Sequence, residues 1–246
     1  MFWKNFQKDW RPPQALNFRR FDFSFMSWKN KAFDDFKLYA VTDAQEESAG
    51  ILKKIDRAYA GGVDMIQLRS KTLSDAALYR LGMKVRRIAD KRQKLFFIND
   101  RPDLAVLLEA DGVHLGQEDL SVIAVRRFLK NAGKHLWIGK STHDLQQARR
   151  AAREGANYIG VGPIFATPTK PGYPATGLNF IRQAIHSIRI PFVAIGGIDL
   201  SNIDEVLQAG ARRIAVVRAV FSEDDPYDAA EKLKDKIQSY WSCWQK

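Results

Sequence analysis

The stretch VDMIQLRSKTLSDAALYRLGMKVRRIADKRQKLFFIND, residues 63–100, holds one complete structural repeat. Its apolar runs at 63–68 and 95–98 have strand length. Between them Leu78, Leu81, Val85 and Ile88 recur at three- and four-residue spacing, which puts them on one face of a helix over 74–91. A strand, a helix and a strand in so short a unit predict parallel strands covered by a helix.

On either side of it the same alternation gives further strands at 37–42, 112–115, 137–139, 158–162, 192–195 and 214–217, for eight βα units. Asp199 and Ser201 are candidate caps for a helix through Val206 and Leu207 that Gly210 stops, and residues 226–241 carry Ala229, Leu233, Ile237 and Trp241 four apart. Eight such units predict an α/β protein with a single (β/α)8 TIM barrel over residues 37–246. The competing architecture, an open doubly wound sheet, usually has a glycine-rich turn after its first strand, and here that turn is VTDAQEE, 41–47.

Residues 1–36 fall outside the repeat and hold eleven aromatic residues, all Phe or Trp, among basic ones. Such a composition is unlike a disordered tail, so this N-terminal extension is expected to pack on the barrel or on a partner subunit, which leaves a homo-oligomer open. Asp9, Asp22, Asp34 and Asp35 interrupt any basic amphipathic face there and argue against a membrane-surface segment. No apolar run is long enough to span a membrane and no secretory leader is evident; with Cys243 as the sole cysteine, a disulfide framework is excluded and a cytoplasmic protein is expected. The net charge of +11 favours phosphate-bearing partners, but the cations scatter over helix faces, and no nucleic-acid-binding motif accompanies them.

A barrel of this type carries its site at the carboxyl ends of its strands, where polar residues should converge. Thr42, Asp43, Gln67, Arg69, Lys71, Asn99, Asp100, Gln117, Asp119, Ser141, His143, Thr167, Thr169, Lys170, Gly196, Gly197 and Arg218 occupy those positions. Asp100 and Asp119 follow neighbouring strands and are suited to share one Mg²⁺, which takes one or two carboxylates and completes its shell with water and phosphate oxygens. The plainer alternative makes each a helix cap, before Pro102 and before Ser121. Arg69, Lys71 and Lys170 beside such a site fit a departing diphosphate. The Gly196–Gly197 pair lies where barrels commonly bind phosphate on backbone N–H groups. His143 is a candidate general base or a helix-start residue, while His114, inside a strand, reads as a satisfied core or wall group; neither has the spacing of a zinc site.

In order along 37–221, QLRSK, FINDRPDLA, DGVHLGQEDL, GKSTHD, GPIFATPTK, VAIGGI and AVVRAV closely resemble the thiamine phosphate synthase (thiamine-phosphate pyrophosphorylase) family. The resemblance implies an Mg²⁺-dependent transferase that joins 4-amino-2-methyl-5-(diphosphooxymethyl)pyrimidine to 4-methyl-5-(2-phosphooxyethyl)thiazole. It further implies that Gln67, Arg69, Lys71, Asn99, Ser141 and Lys170 bind the pyrimidine diphosphate, with Arg69, Lys71 and Lys170 acting in catalysis. Asp100 and Asp119 would hold Mg²⁺, and Thr167, Thr169, Gly197, Val217 and Arg218 would meet the thiazole phosphate. Arg218 departs from the family, which commonly has serine there. The implied chemistry is dissociative and needs no covalent nucleophile. A related thiazole tautomerase, which would use His143, and a non-catalytic phosphate-binding barrel are the alternatives; the first needs neither the carboxylate pair nor the TPTK loop. The loop FATPTKPGYPATG, 165–177, is expected to serve as a lid whose prolines limit the disorder lost on closing.

Overall fold

The computed structural model describes residues 23–168, 172 and 174–243. Eight parallel strands close into a barrel in sequence order: β1 Leu38–Val41, β2 Met65–Leu68, β3 Leu95–Asn99, β4 Gly112–Leu115, β5 Trp137–Thr142, β6 Tyr158–Val161, β7 Phe192–Ile195 and β8 Ile214–Val216. The helices are α1 Phe23–Asp35, α2 Ala49–Ala60, α3 Asp75–Arg92, α4 Pro102–Leu107, α5 Val122–Asn131, α6 Leu145–Arg153, α7 Gly177–Ser187, α8 Ile203–Gln208, α9 Arg218–Phe221 and α10 Pro226–Ser242. No described helix is long and apolar enough to cross a membrane.

Because side chains alternate across a strand, the barrel has two cores. Outward residues such as Leu38, Ile66, Phe96, Val113 and Ile159 pack on the apolar helix faces, including Leu78, Leu81 and Val85 of α3. Inward residues Tyr39, Met65, Leu95, Phe97, Tyr158, Val193 and Ala215 fill the interior. Two glycines make the large rings fit: a Cβ at Gly112 would collide with the Phe97 ring, and one at Gly139 with the Tyr158 ring.

Phe33 of α1 and Phe36 after it close the amino-terminal end of this inner core. The Phe33 ring stacks on Trp137 at 4.5 Å between centroids and meets Tyr158 edge-on at 6.1 Å. Lys29 forms an ion pair with buried Asp111, which also holds Arg86 at 2.9 Å and accepts the Phe96 N–H at 2.8 Å. Of the N-terminal extension, residues 1–22 lie outside the described residues.

Several boundaries move, each for a local reason. Strand β2 starts at Met65, after Asp64, whose side chain accepts the N–H groups of Lys37 and Leu38. Strand β5 runs on to Thr142, past the expected end at 139, since Lys140 and Thr142 are buried and bonded, Thr142 Oγ1 donating to Gly160 O at 2.7 Å. Ser74 caps α3. Asp199 and Ser201 do not cap α8: the position belongs to Asn202, whose side chain bonds the Gly197 carbonyl and the Asp199 N–H, while Asp199 accepts from Ser201.

Candidate active site

At the carboxyl end of the barrel lies a cavity of about 590 Å³. Gln67, Arg69, Lys71, Asn99, Asp100, Asp119, Ser141, Thr167, Gly197, Val217 and Arg218 all line it. Thr169 and Lys170 lie outside the described residues, as do Pro171 and Tyr173 of the same loop.

The local fold explains how each wall is held. After β2, the Thr42 hydroxyl donates to the Arg69 carbonyl at 3.0 Å and accepts the Arg69 N–H at 2.9 Å, which ties the chain beyond β2 to the end of β1. The Arg69 guanidinium then pairs with Asp43, and Lys71 reaches Asp100 at 3.3 Å. Asp100 follows directly on β3 with φ +62°, a left-handed conformation that aspartate tolerates better than most residues, and its N–H bonds the His114 carbonyl at 2.8 Å.

Neither aspartate is a helix cap. Arg101 holds that position for α4 and Ser121 for α5, so the plainer reading of both carboxylates fails. Asp119 instead folds back to accept the Gly116 N–H at 2.6 Å, while buried Lys140 donates to the Gly116 carbonyl from the neighbouring strand. Burial lowers the Lys140 ammonium below its ordinary value, with Asp119 opposing that shift. Burial pushes the Asp100 carboxyl up to about 6, helped by a hydrogen bond to Asp119 and by its charge, against a smaller opposite pull from Lys71. Two carboxylates that resist joint ionisation are a fitting pair of ligands for a divalent cation. Among the described residues no group of three or more His, Cys, Asp or Glu side chains is suited to hold a metal, so any ion here would rely on this pair and on its substrate.

Gly196 and Gly197 follow β7 with φ of +105° and +66°. Side chains there would press on Pro163 and on Phe165 and Ala166, because the opening of the 165–177 loop is bonded to the end of β7 through Ile164 N–H to Ile195 O at 2.9 Å and Phe165 N–H to Gly196 O at 3.0 Å. The glycines therefore serve close backbone packing as well as an open cavity wall. Arg218 is exposed at the start of α9, and Val217 precedes it.

His143 lines the cavity with Nδ1 against the Gly162 carbonyl and its N–H on Gln147 Oε1 at 2.8 Å; Asp144, not His143, caps α6. His114 is buried and satisfied in the wall, as expected, with Nδ1 2.9 Å from the Tyr158 hydroxyl and Nε2 2.9 Å from Ser141 Oγ. Tyr39 and Tyr158 were absent from the sequence-derived site, yet both line the cavity floor. Their strand parity, which turns them inward with Gln67 and Ser141, was the available signal.

The model of the thiamine monophosphate synthase family matches residues 38–220. A thiamine-phosphate synthase of Thermus thermophilus is 50% identical over 187 residues, covering 76% of this chain and 88% of that protein. One from Gloeobacter violaceus is 44% identical over 190 residues, covering 77% of this chain but 54% of its own length. Among solved structures, a thiamine phosphate pyrophosphorylase from Pyrococcus furiosus superposes with a TM-score of 0.76 at 35% identity, over 83% of this chain and 96% of that one. With the matched region running through every strand of the barrel and relatives at these identities, the chain belongs to the thiamine monophosphate synthase family.

Proposed function

We propose that this barrel is a transferase that makes thiamine phosphate, joining the pyrimidine diphosphate to the thiazole phosphate with release of diphosphate. The observation that carries the reading is the Asp100–Asp119 pair beside Lys71 and Arg69 at one side of the cavity. Paired carboxylates next to cations suit a diphosphate that arrives with a divalent ion.

Asp100 and Asp119 are the residues that would hold Mg²⁺, which when bound would offset charge on the diphosphate as it departs. Arg69 and Lys71 receive the diphosphate oxygens, and Lys170 joins them by the family resemblance. Asn99 and Gln67 orient the pyrimidine end, with Ser141 on the far wall. As the carbon–oxygen bond breaks, its electron pair leaves with the diphosphate and the aminopyrimidine stabilises the methylene cation; the thiazole nitrogen then donates its lone pair to form the new carbon–nitrogen bond. Thr167, Thr169, Gly197, Val217 and Arg218 hold the thiazole phosphate during that capture. The protein supplies position and charge, and no nucleophilic side chain is required.

Asp119→Asn and Lys170→Ala test the reading: both fold normally and lose turnover, on the order of 10² to 10³ for each lost electrostatic group. Wild-type rates in both would sink it.

A further inference from the structure

Beneath the cavity an unbroken chain of hydrogen bonds crosses the barrel. Gln67 Nε2 donates to the Tyr39 hydroxyl, which lies 3.1 Å from that of Tyr158; Tyr158 lies 2.9 Å from His114 Nδ1, and His114 Nε2 lies 2.9 Å from Ser141 Oγ. Tyr39, Tyr158, Gln67 and His114 are all buried.

Each hydroxyl has one proton that needs an acceptor, and with Gln67 donating to Tyr39 only one direction along the chain gives every hydroxyl proton of the two buried tyrosines a partner among these groups. With Gln67 donating to the Tyr39 oxygen, Tyr39 passes its proton to Tyr158, and Tyr158 passes its own to His114 Nδ1. The imidazole is then neutral with hydrogen on Nε2, which donates to Ser141 Oγ. Two consequences reach the cavity. Turning the Gln67 amide over would require every bond of the chain to reverse, so in this polarity it offers its Oε1, which no described group donates to, as an acceptor. Ser141, already accepting from His114, has its own proton to give.

We propose that Tyr39, Tyr158 and His114 are positioning residues whose hydrogen-bond polarity presets the cavity as an acceptor at Gln67 and a donor at Ser141, selecting an aminopyrimidine over its oxo counterpart. An amino group beside a ring nitrogen offers a donor and an acceptor. An oxo-pyrimidine offers a carbonyl where Gln67 requires a donor, and a buried mismatch of that kind is costly. This inference rests on the proposed function for the identity of the ligand, though the polarity of the chain does not.

Nitrogen-15 NMR of histidine-labelled wild-type protein at neutral pH, with the resonance assigned by its loss in His114→Gln, reads the polarity directly. A neutral His114 with hydrogen on Nε2 is expected; hydrogen on Nδ1, or an imidazolium, overturns the proposal. Calorimetry then compares binding of the amino- and oxo-pyrimidine diphosphates. Tyr39→Phe, and Tyr158→Phe as a second break in the chain, should each lower the amino-over-oxo preference about tenfold, whereas equal losses for both ligands would mark a merely structural role and overturn it. If neither ligand binds the wild type, the functional reading fails, and the NMR result still judges the relay.

Discussion

Lys140 and Asp119 meet at one residue: the lysine donates to the Gly116 carbonyl, and the aspartate accepts the Gly116 N–H at 2.6 Å. The turn carrying one of the two paired carboxylates is thereby fastened from a neighbouring strand. Lys140→Met should keep the stem packed and loosen that turn. The Mg²⁺ concentration for half-maximal rate should rise about tenfold, as for a lost partner of a metal ligand, with the rate at saturating Mg²⁺ close to wild type. A titration with unchanged Mg²⁺ dependence would contradict this role.

The Asp100–Asp119 pair also predicts a pH effect. Since folding raises the Asp100 pKa to about 6, its contribution to stability is full below the usual carboxylate value and is lost as pH rises through about 6. In chelator, the thermal midpoint of the wild type relative to Asp119→Asn should therefore fall across that window. Adding Mg²⁺ with diphosphate should reverse the fall; a pH-independent difference would count against the coupling.

Arg218 lines the cavity and forms no ion pair among the described residues. If its guanidinium meets the thiazole phosphate, Arg218→Ser raises the KM for that substrate about tenfold with kcat unchanged, and the effect shrinks with added salt. An unchanged KM would assign the contact to backbone N–H groups.

At the opposite end, Phe33 is 5% exposed and stacked on Trp137. Phe33→Ala should cost about 3 kcal/mol in denaturant unfolding, with activity per folded molecule retained. A lost activity without lost stability would mean that α1 communicates with the site.

The repeat and its closure were legible because hydrophobic period is a local signal, and strand ends then located Gln67, Asn99, Asp100 and Ser141 on one cavity. Other features depend on contacts distant in sequence. Lys140 reads as a polar end to β5 until Gly116 arrives from β4, and Asp199 looks like a cap until Asn202 takes the position. Tyr39 and Tyr158 carry no motif, and their pairing across 119 residues appears only when the barrel closes.

The most direct measurement is to incubate the purified protein with both substrates and Mg²⁺ and follow products by chromatography and phosphorus NMR. Thiamine phosphate and diphosphate should form in equal amounts, dependent on Mg²⁺ and abolished in Asp119→Asn. Intact substrates after prolonged incubation of folded protein would contradict the proposed function.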